Sequence, residues 1–122
     1  MKVLVVDDHK AMREMLRGLL NQIGYTDVEE ADGIESALAM LALSDYDLIV
    51  SDWGMRPRAG LGFLRAIRAD ERTRDTPVIM VAADGGADDV ERQGTAESRI
   101  VKPFNAATLR TKINHVLGGP PR

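Results

Sequence analysis

Short apolar runs suited to buried strands alternate five times along this chain with segments whose apolar residues recur every three or four positions. A strand that is apolar on both sides must be covered on both sides, so this alternation calls for a parallel sheet with helices packed on its two faces. The strand-like runs are Val3 to Val6, Val28 to Ala31, Leu48 to Val50, Pro77 to Val81, and Ile100 with Val101. Met12, Met15, Leu16, Leu19, Leu20 and Ile23 form a helical stripe, and Gly24 stands where a helix commonly ends. Ile34, Ala37, Leu38 and Leu41 mark a second helix, and Leu61, Leu64 and Ile67 a third after a loop from Trp53 to Gly60. The last helix carries Leu109, Ile113, Val116 and Leu117, with Asn105 placed to cap it. Between the fourth and fifth strands the pattern weakens. Asp84 to Ser98 holds Val90 as its one large aliphatic residue, so the fourth helix of the series is expected to be short or disordered.

The 122 residues suit one domain, expected over residues 1–118 with a flexible tail at 119–122. An apolar fraction of 44% and a charged fraction of 29% are those of a soluble globular chain. A net charge of -3 gives no overall footprint for DNA or an anionic membrane. The absence of cysteine excludes disulfides and thiolate metal sites. The first strand follows Met1 directly, and no run approaches the roughly 20 apolar residues of a membrane span, so a cytoplasmic protein without membrane insertion is expected.

Function is indicated by what the strands end on. The first run stops at Asp7 and Asp8, the third passes through Ser51 to Asp52, and the fifth delivers Lys102 before Pro103. In a parallel sheet these ends share one edge, where open α/β folds hold their ligands. Aspartate at a strand end commonly caps the next helix or starts a loop. Three aspartates and a lysine arriving at the same edge go beyond that ordinary role. Carboxylates about 4 Å apart repel by about 4 kcal/mol per pair at an effective dielectric near 20. A divalent cation removes the cost, and oxygen ligands without histidine or cysteine favour Mg²⁺. One carboxylate is then able to attack phosphorus, with Lys102 supplying charge to the phosphoryl oxygens. His9 reads as a polar helix cap rather than a ligand, His115 as a solvent-facing residue, Trp53 as a lid or a packing residue, and the six methionines as core filling.

The segments VLVVDDHKAMREML, YTDVEEADGIESAL, LIVSDWGM, IRAD, PVIMV and IVKPFNAATL resemble the receiver domains of bacterial two-component response regulators, most of all the CheY-like chemotaxis class. The resemblance implies a flavodoxin-like doubly wound sheet of five parallel strands in the order 2-1-3-4-5. It also implies that Asp52 is the phosphoacceptor, that Asp7, Asp8, Asp52 and the Gly54 carbonyl hold Mg²⁺, and that Lys102 contacts the phosphoryl group. Two positions depart from the pattern. Ala82 stands where these domains carry a threonine or serine that bonds the phosphoryl group, and Arg99 stands where an aromatic residue follows it inward. A hydrogen bond to a charged group is worth about 1.5 to 3 kcal/mol, so its loss lowers the active population ratio roughly 10- to 150-fold. Arg56 and Arg58 replace the usual proline and neighbouring acidic character of the loop after Asp52. They are either solvated loop charges or, with Arg99, a basic rim for anions.

The expectation is therefore a stand-alone receiver that takes a phosphoryl group on Asp52 from a sensor histidine kinase or a phosphotransfer protein. It would signal by contact with a flagellar switch or a kinase, and it is not an enzyme on external substrates. The alternative is a phosphorylation-independent pseudo-receiver that binds a nucleotide second messenger or an acidic partner through Arg56, Arg58 and Arg99.

Overall fold

The computed structural model describes residues 1–52, 59–82, 98–101 and 104–117, with backbone alone for residues 59–61, 82 and 98–101. The strands are β1 (Lys2–Val6), β2 (Asp27–Ala31), β3 (Leu48–Asp52), β4 (Val78–Ala82) and β5 (Ser98–Val101). The helices among the described residues are α1 (Lys10–Gln22), α2 (Ile34–Leu43), α3 (Ala59–Ala69) and, last in the chain, α4 (Ala106–Val116). All four strand pairings are parallel, and the sheet order is β2-β1-β3-β4-β5, as the sequence led us to expect.

Alternation along each strand divides the interior into two cores. Leu4, Val6, Ile49, Val78 and Met80 face α2 and α3, where they meet Ala37, Leu41, Phe63, Leu64 and Ile67. Val3, Val5, Leu48, Val50, Ile79 and Val81 face α1 and α4, where they meet Leu16, Leu20, Leu109 and Ile113. Burial on both faces is why these strands read as unbroken apolar runs rather than as alternating ones.

The helix ends follow from single residues. α1 closes with the Gly24 N–H donating to the Asn21 carbonyl at 3.1 Å and the Tyr25 N–H to the Leu20 carbonyl at 2.9 Å. Gly24 has a φ of 104°, which glycine adopts without a Cβ penalty. The Asn105 side chain accepts from the Thr108 N–H at 2.9 Å and caps α4. After α3 the chain turns back tightly. The Arg68 guanidinium donates to the Arg74 and Thr76 carbonyls at 2.9 and 3.0 Å, and the buried Thr73 hydroxyl to the Ile67 carbonyl at 2.7 Å.

Three expectations need correction. Met15 and Leu38 are exposed rather than part of their buried stripes. At 100° per residue Met15 lies about 120° from the midpoint of the buried Leu16 and Leu20, and Leu38 about 80° from that of Ala37 and Leu41, at or beyond the margin of the face that packs on the sheet. α3 begins at Ala59, inside the segment expected to be loop. The expected short fourth helix over residues 84–97 and the tail lie outside the described residues, as do Trp53, Gly54, Arg56, Arg58 and Lys102.

Candidate functional site

The register of β1 and β3 accounts for the meeting of two aspartates. Val5 pairs with Val50 and Val6 with Ser51, so the next step brings Asp7 opposite Asp52. By the two-residue period both carboxylates then lie on the face already occupied by Val5 and Val50. Both are enclosed, Asp7 at 0% exposure and Asp52 at 4%. Asp7 still belongs to the ladder through its N–H, which donates to the Ala31 carbonyl at 3.2 Å. Asp8 is the first residue to leave the sheet and is exposed.

The turn into α1 is tied back onto Asp7. The His9 N–H donates to Asp7 Oδ1 at 2.8 Å, the local aspartate turn that orients the carboxylate. Arg13, one helical turn further, donates through Nη1 to the Asp7 carbonyl at 2.7 Å. Its Nε meets Glu30 Oε1 at 3.2 Å, and Arg17 Nε meets Glu30 Oε2 at 2.7 Å. Two arginines spaced i, i+4 on α1 thus clamp one glutamate at the end of β2, and the nearer arginine holds the backbone of Asp7. Neither the clamp nor its role was read from the sequence, although the i, i+4 arginines facing an acidic β2 were visible in it.

The ligand atoms of Asp7, Asp8, His9 and Asp52 all lie within 4.8 Å of one another. Oxygen ligands about 2.0 to 2.5 Å from a cation place opposite members of its shell about 4 to 5 Å apart, so the spacing suits one ion. Three carboxylates around one point also give the charge that such an ion offsets. The donor set therefore fits a divalent cation. The sequence placed His9 at a helix start, as the structure does, but did not show where its ring turns. His9 occupies the N-cap position of α1 but makes no side-chain capping bond. Its Nδ1 instead lies 2.9 Å from Asp8 Oδ1 and 3.2 Å from Asp7 Oδ1. The signal was its place directly after the aspartate pair, where the turn folds it back over them.

The two positions that depart from the receiver pattern are placed by the strand register alone. Asp52 pairs with Val81, so Ala82, which ends β4, stands one residue further toward the same edge. Arg99 pairs with Met80, two positions before Val101 at the end of β5. No helix among the described residues is long and apolar enough to cross a membrane.

Comparison with known proteins agrees with this architecture. The family model described as "Response regulator receiver domain" matches residues 3–114. The chemotaxis protein CheY of Pseudomonas aeruginosa is 41% identical over 118 residues, which cover 95% of each chain. The chemotaxis protein CheY-3 of Vibrio cholerae is 39% identical over 118 residues, covering 95% of this chain and 91% of that one. Among solved structures, the V. cholerae chemotaxis protein CheY4 superposes with a TM-score of 0.82 at 32% identity, over 94% of this chain and 97% of that one. A sheet of this order, an acidic cluster at its C-terminal edge and a family match along nearly all of its length make this chain a CheY-type member of the response regulator receiver domain family of two-component signalling.

Proposed function

We propose that the chain is a phosphorylation-controlled receiver that takes a phosphoryl group on Asp52 and signals by protein contact. The observation that carries this reading is the enclosure of Asp7 and Asp52 side by side at the C-terminal edge of β1 and β3, with Asp8 beside them. In it, Asp7, Asp8, Asp52 and the Gly54 carbonyl would hold Mg²⁺. Such an ion would offset carboxylate repulsion and draw charge from the phosphoryl oxygens. An Asp52 carboxylate oxygen attacks the phosphorus of a phosphohistidine, the phosphorus–nitrogen bond breaks, and the departing imidazole takes a proton. Lys102 bonds a phosphoryl oxygen and carries positive charge to where negative charge develops. The donor would be a sensor histidine kinase or a phosphotransfer protein, and the receiver of the signal a flagellar switch or a kinase. Residues 1–118 would be the working domain.

Incubation with acetyl phosphate and Mg²⁺, followed by intact mass measurement, tests the assignment. The chain should gain one phosphoryl group, and Asp52→Asn should not. A wild-type chain that stays unmodified although Mg²⁺ binds would sink the reading.

A second reading has its own motivation. Ala82 ends β4 beside the site without a hydroxyl, and Arg99 takes the aromatic position in β5. A module of receiver shape that works without phosphorylation would bind a nucleotide second messenger or an acidic partner through Arg56, Arg58 and Arg99. Beryllofluoride with Mg²⁺ separates the two: amide shifts that reach β5 favour phosphorylation control, and a silent spectrum favours the alternative.

A further inference from the structure

We infer that His9 adds a nitrogen donor to the Asp7, Asp8 and Asp52 cluster, which raises its affinity for divalent metals of the cobalt-to-zinc type and leaves Mg²⁺ binding in place. The inference rests on the reading of that cluster as a cation site and adds to it a donor and a metal preference. A polar residue at an N-cap ordinarily turns its side chain inward to accept from the first helical N–H groups. His9 does not, since α1 has no side-chain capping bond. Its backbone N–H is committed to Asp7 Oδ1 at 2.8 Å, and this turn carries the imidazole over the carboxylates.

Nδ1 hydrogen-bonds Asp7 and pairs with Asp8 at distances that adjacent ligands of one ion also share. Nδ1 stands 2.9 Å from Asp8 Oδ1 and 3.2 Å from Asp7 Oδ1, while the ligand atom of Asp52 completes a group within 4.8 Å. Neighbouring ligands about 2.1 Å from one ion are about 3 Å apart, so Nδ1 already sits at the separation of an adjacent ligand. The imidazole side chain is 74% exposed, so it adjusts to an ion without disturbing either core. Mg²⁺ takes oxygen ligands and gives up water reluctantly, so an imidazole adds little to its binding. Cobalt, nickel and zinc ions bind imidazole readily, and one nitrogen among three carboxylates raises their affinity selectively.

The test uses the untagged full chain and titrates Mg²⁺, Co²⁺ and Zn²⁺ separately and in competition. Co²⁺ is followed by its visible absorption, and the Zn²⁺-loaded chain by the ring ¹⁵N shifts of His9, with the exposed His115 on α4 as the internal control. Co²⁺ and Zn²⁺ should bind more tightly than Mg²⁺, and Zn²⁺ should move His9 Nδ1 while leaving His115 in place. His9→Ala should weaken Co²⁺ and Zn²⁺ by about 10- to 100-fold, at least the loss that follows removal of an outer-shell partner, with Mg²⁺ affinity retained. Equal weakening of all three metals would reduce the histidine to a shaper of the turn and overturn the inference. So would unchanged affinities with an unshifted ring. Both results leave the carboxylate site standing. Absence of binding by any cation, or binding undiminished in Asp52→Asn, would overturn the cluster reading and the inference together.

Discussion

Tyr46 shows how much a single side chain near the end of the sheet opposite the aspartates is asked to do. It is buried, its hydroxyl donates to the Glu29 carboxylate, and Lys2 Nζ lies 5.0 Å from its ring centre. Burial, then the bond to Glu29 and the nearby charges of Glu29 and Asp27, push its pKa well above the usual tyrosine value. The folded state therefore keeps the proton that the unfolded state gives up near pH 10. Stability from this group is complete below that pH and is lost as pH rises beyond it. Urea midpoints measured between pH 8 and about 11 should fall more steeply for wild type than for Tyr46→Phe, which lacks the ionising hydroxyl. At the same scale, His9 and Asp8 are neighbours in sequence, yet only half of their arrangement was legible. The acidic pair was visible because charge clustering leaves a pattern in the chain. The imidazole was not, because a side chain's direction at a helix entrance depends on the turn geometry and not on residue type alone.

At the scale of elements, the parts set by periodicity were readable and the parts set by packing limits were not. Buried on two faces, β1, β3 and β4 left apolar runs that could hardly be mistaken, and α1 carried both its stripe and its stop. Met15 and Leu38 misled because an apolar residue at the margin of a stripe looks the same in sequence as one at its centre. The start of α3 was hidden by Ala59 and Gly60, which carry no capping signal. Gly24 offers a direct check on the element it closes. Its φ of 104° is one that a residue with a Cβ avoids, although the space around it is open. Gly24→Ala should cost about 1 to 2 kcal/mol in urea denaturation, arising from backbone strain with no clash to relieve. A neutral substitution would mean that the α1 terminus rearranges without cost.

At the scale of the molecule, a phosphoryl group received at one sheet edge would have to alter surfaces around it, and the register says which strands lie between. Asp52 faces Val81, Ala82 follows, and Ala82 pairs with Val101 on β5. Asp52 is thus two strands from the sheet's outer edge, with a methyl group where these domains usually place a hydroxyl. Ala82→Thr should restore a hydrogen bond to a bound phosphoryl mimic and raise the switched population ratio roughly 10- to 150-fold. In amide NMR with beryllofluoride and Mg²⁺, the variant should show larger shifts across residues 98–101 than wild type does. Identical spectra would place the response elsewhere in the fold.

The order of the strands has a further consequence, for how the chain assembles in time. β1 is made first but sits between β2 and β3, and its pairing with β3 joins residues as far apart as Val6 and Ser51. During synthesis the first strand must wait for the third to leave the ribosome before its second flank is covered. The aspartate pair exists only after that closure, so the nascent chain acquires its acidic pocket as its central ladder zips, and not before. Non-local pairing of this kind slows folding relative to helical bundles of similar size. A hydrophobic first strand that is exposed for longest is also where a holdase chaperone would find its target.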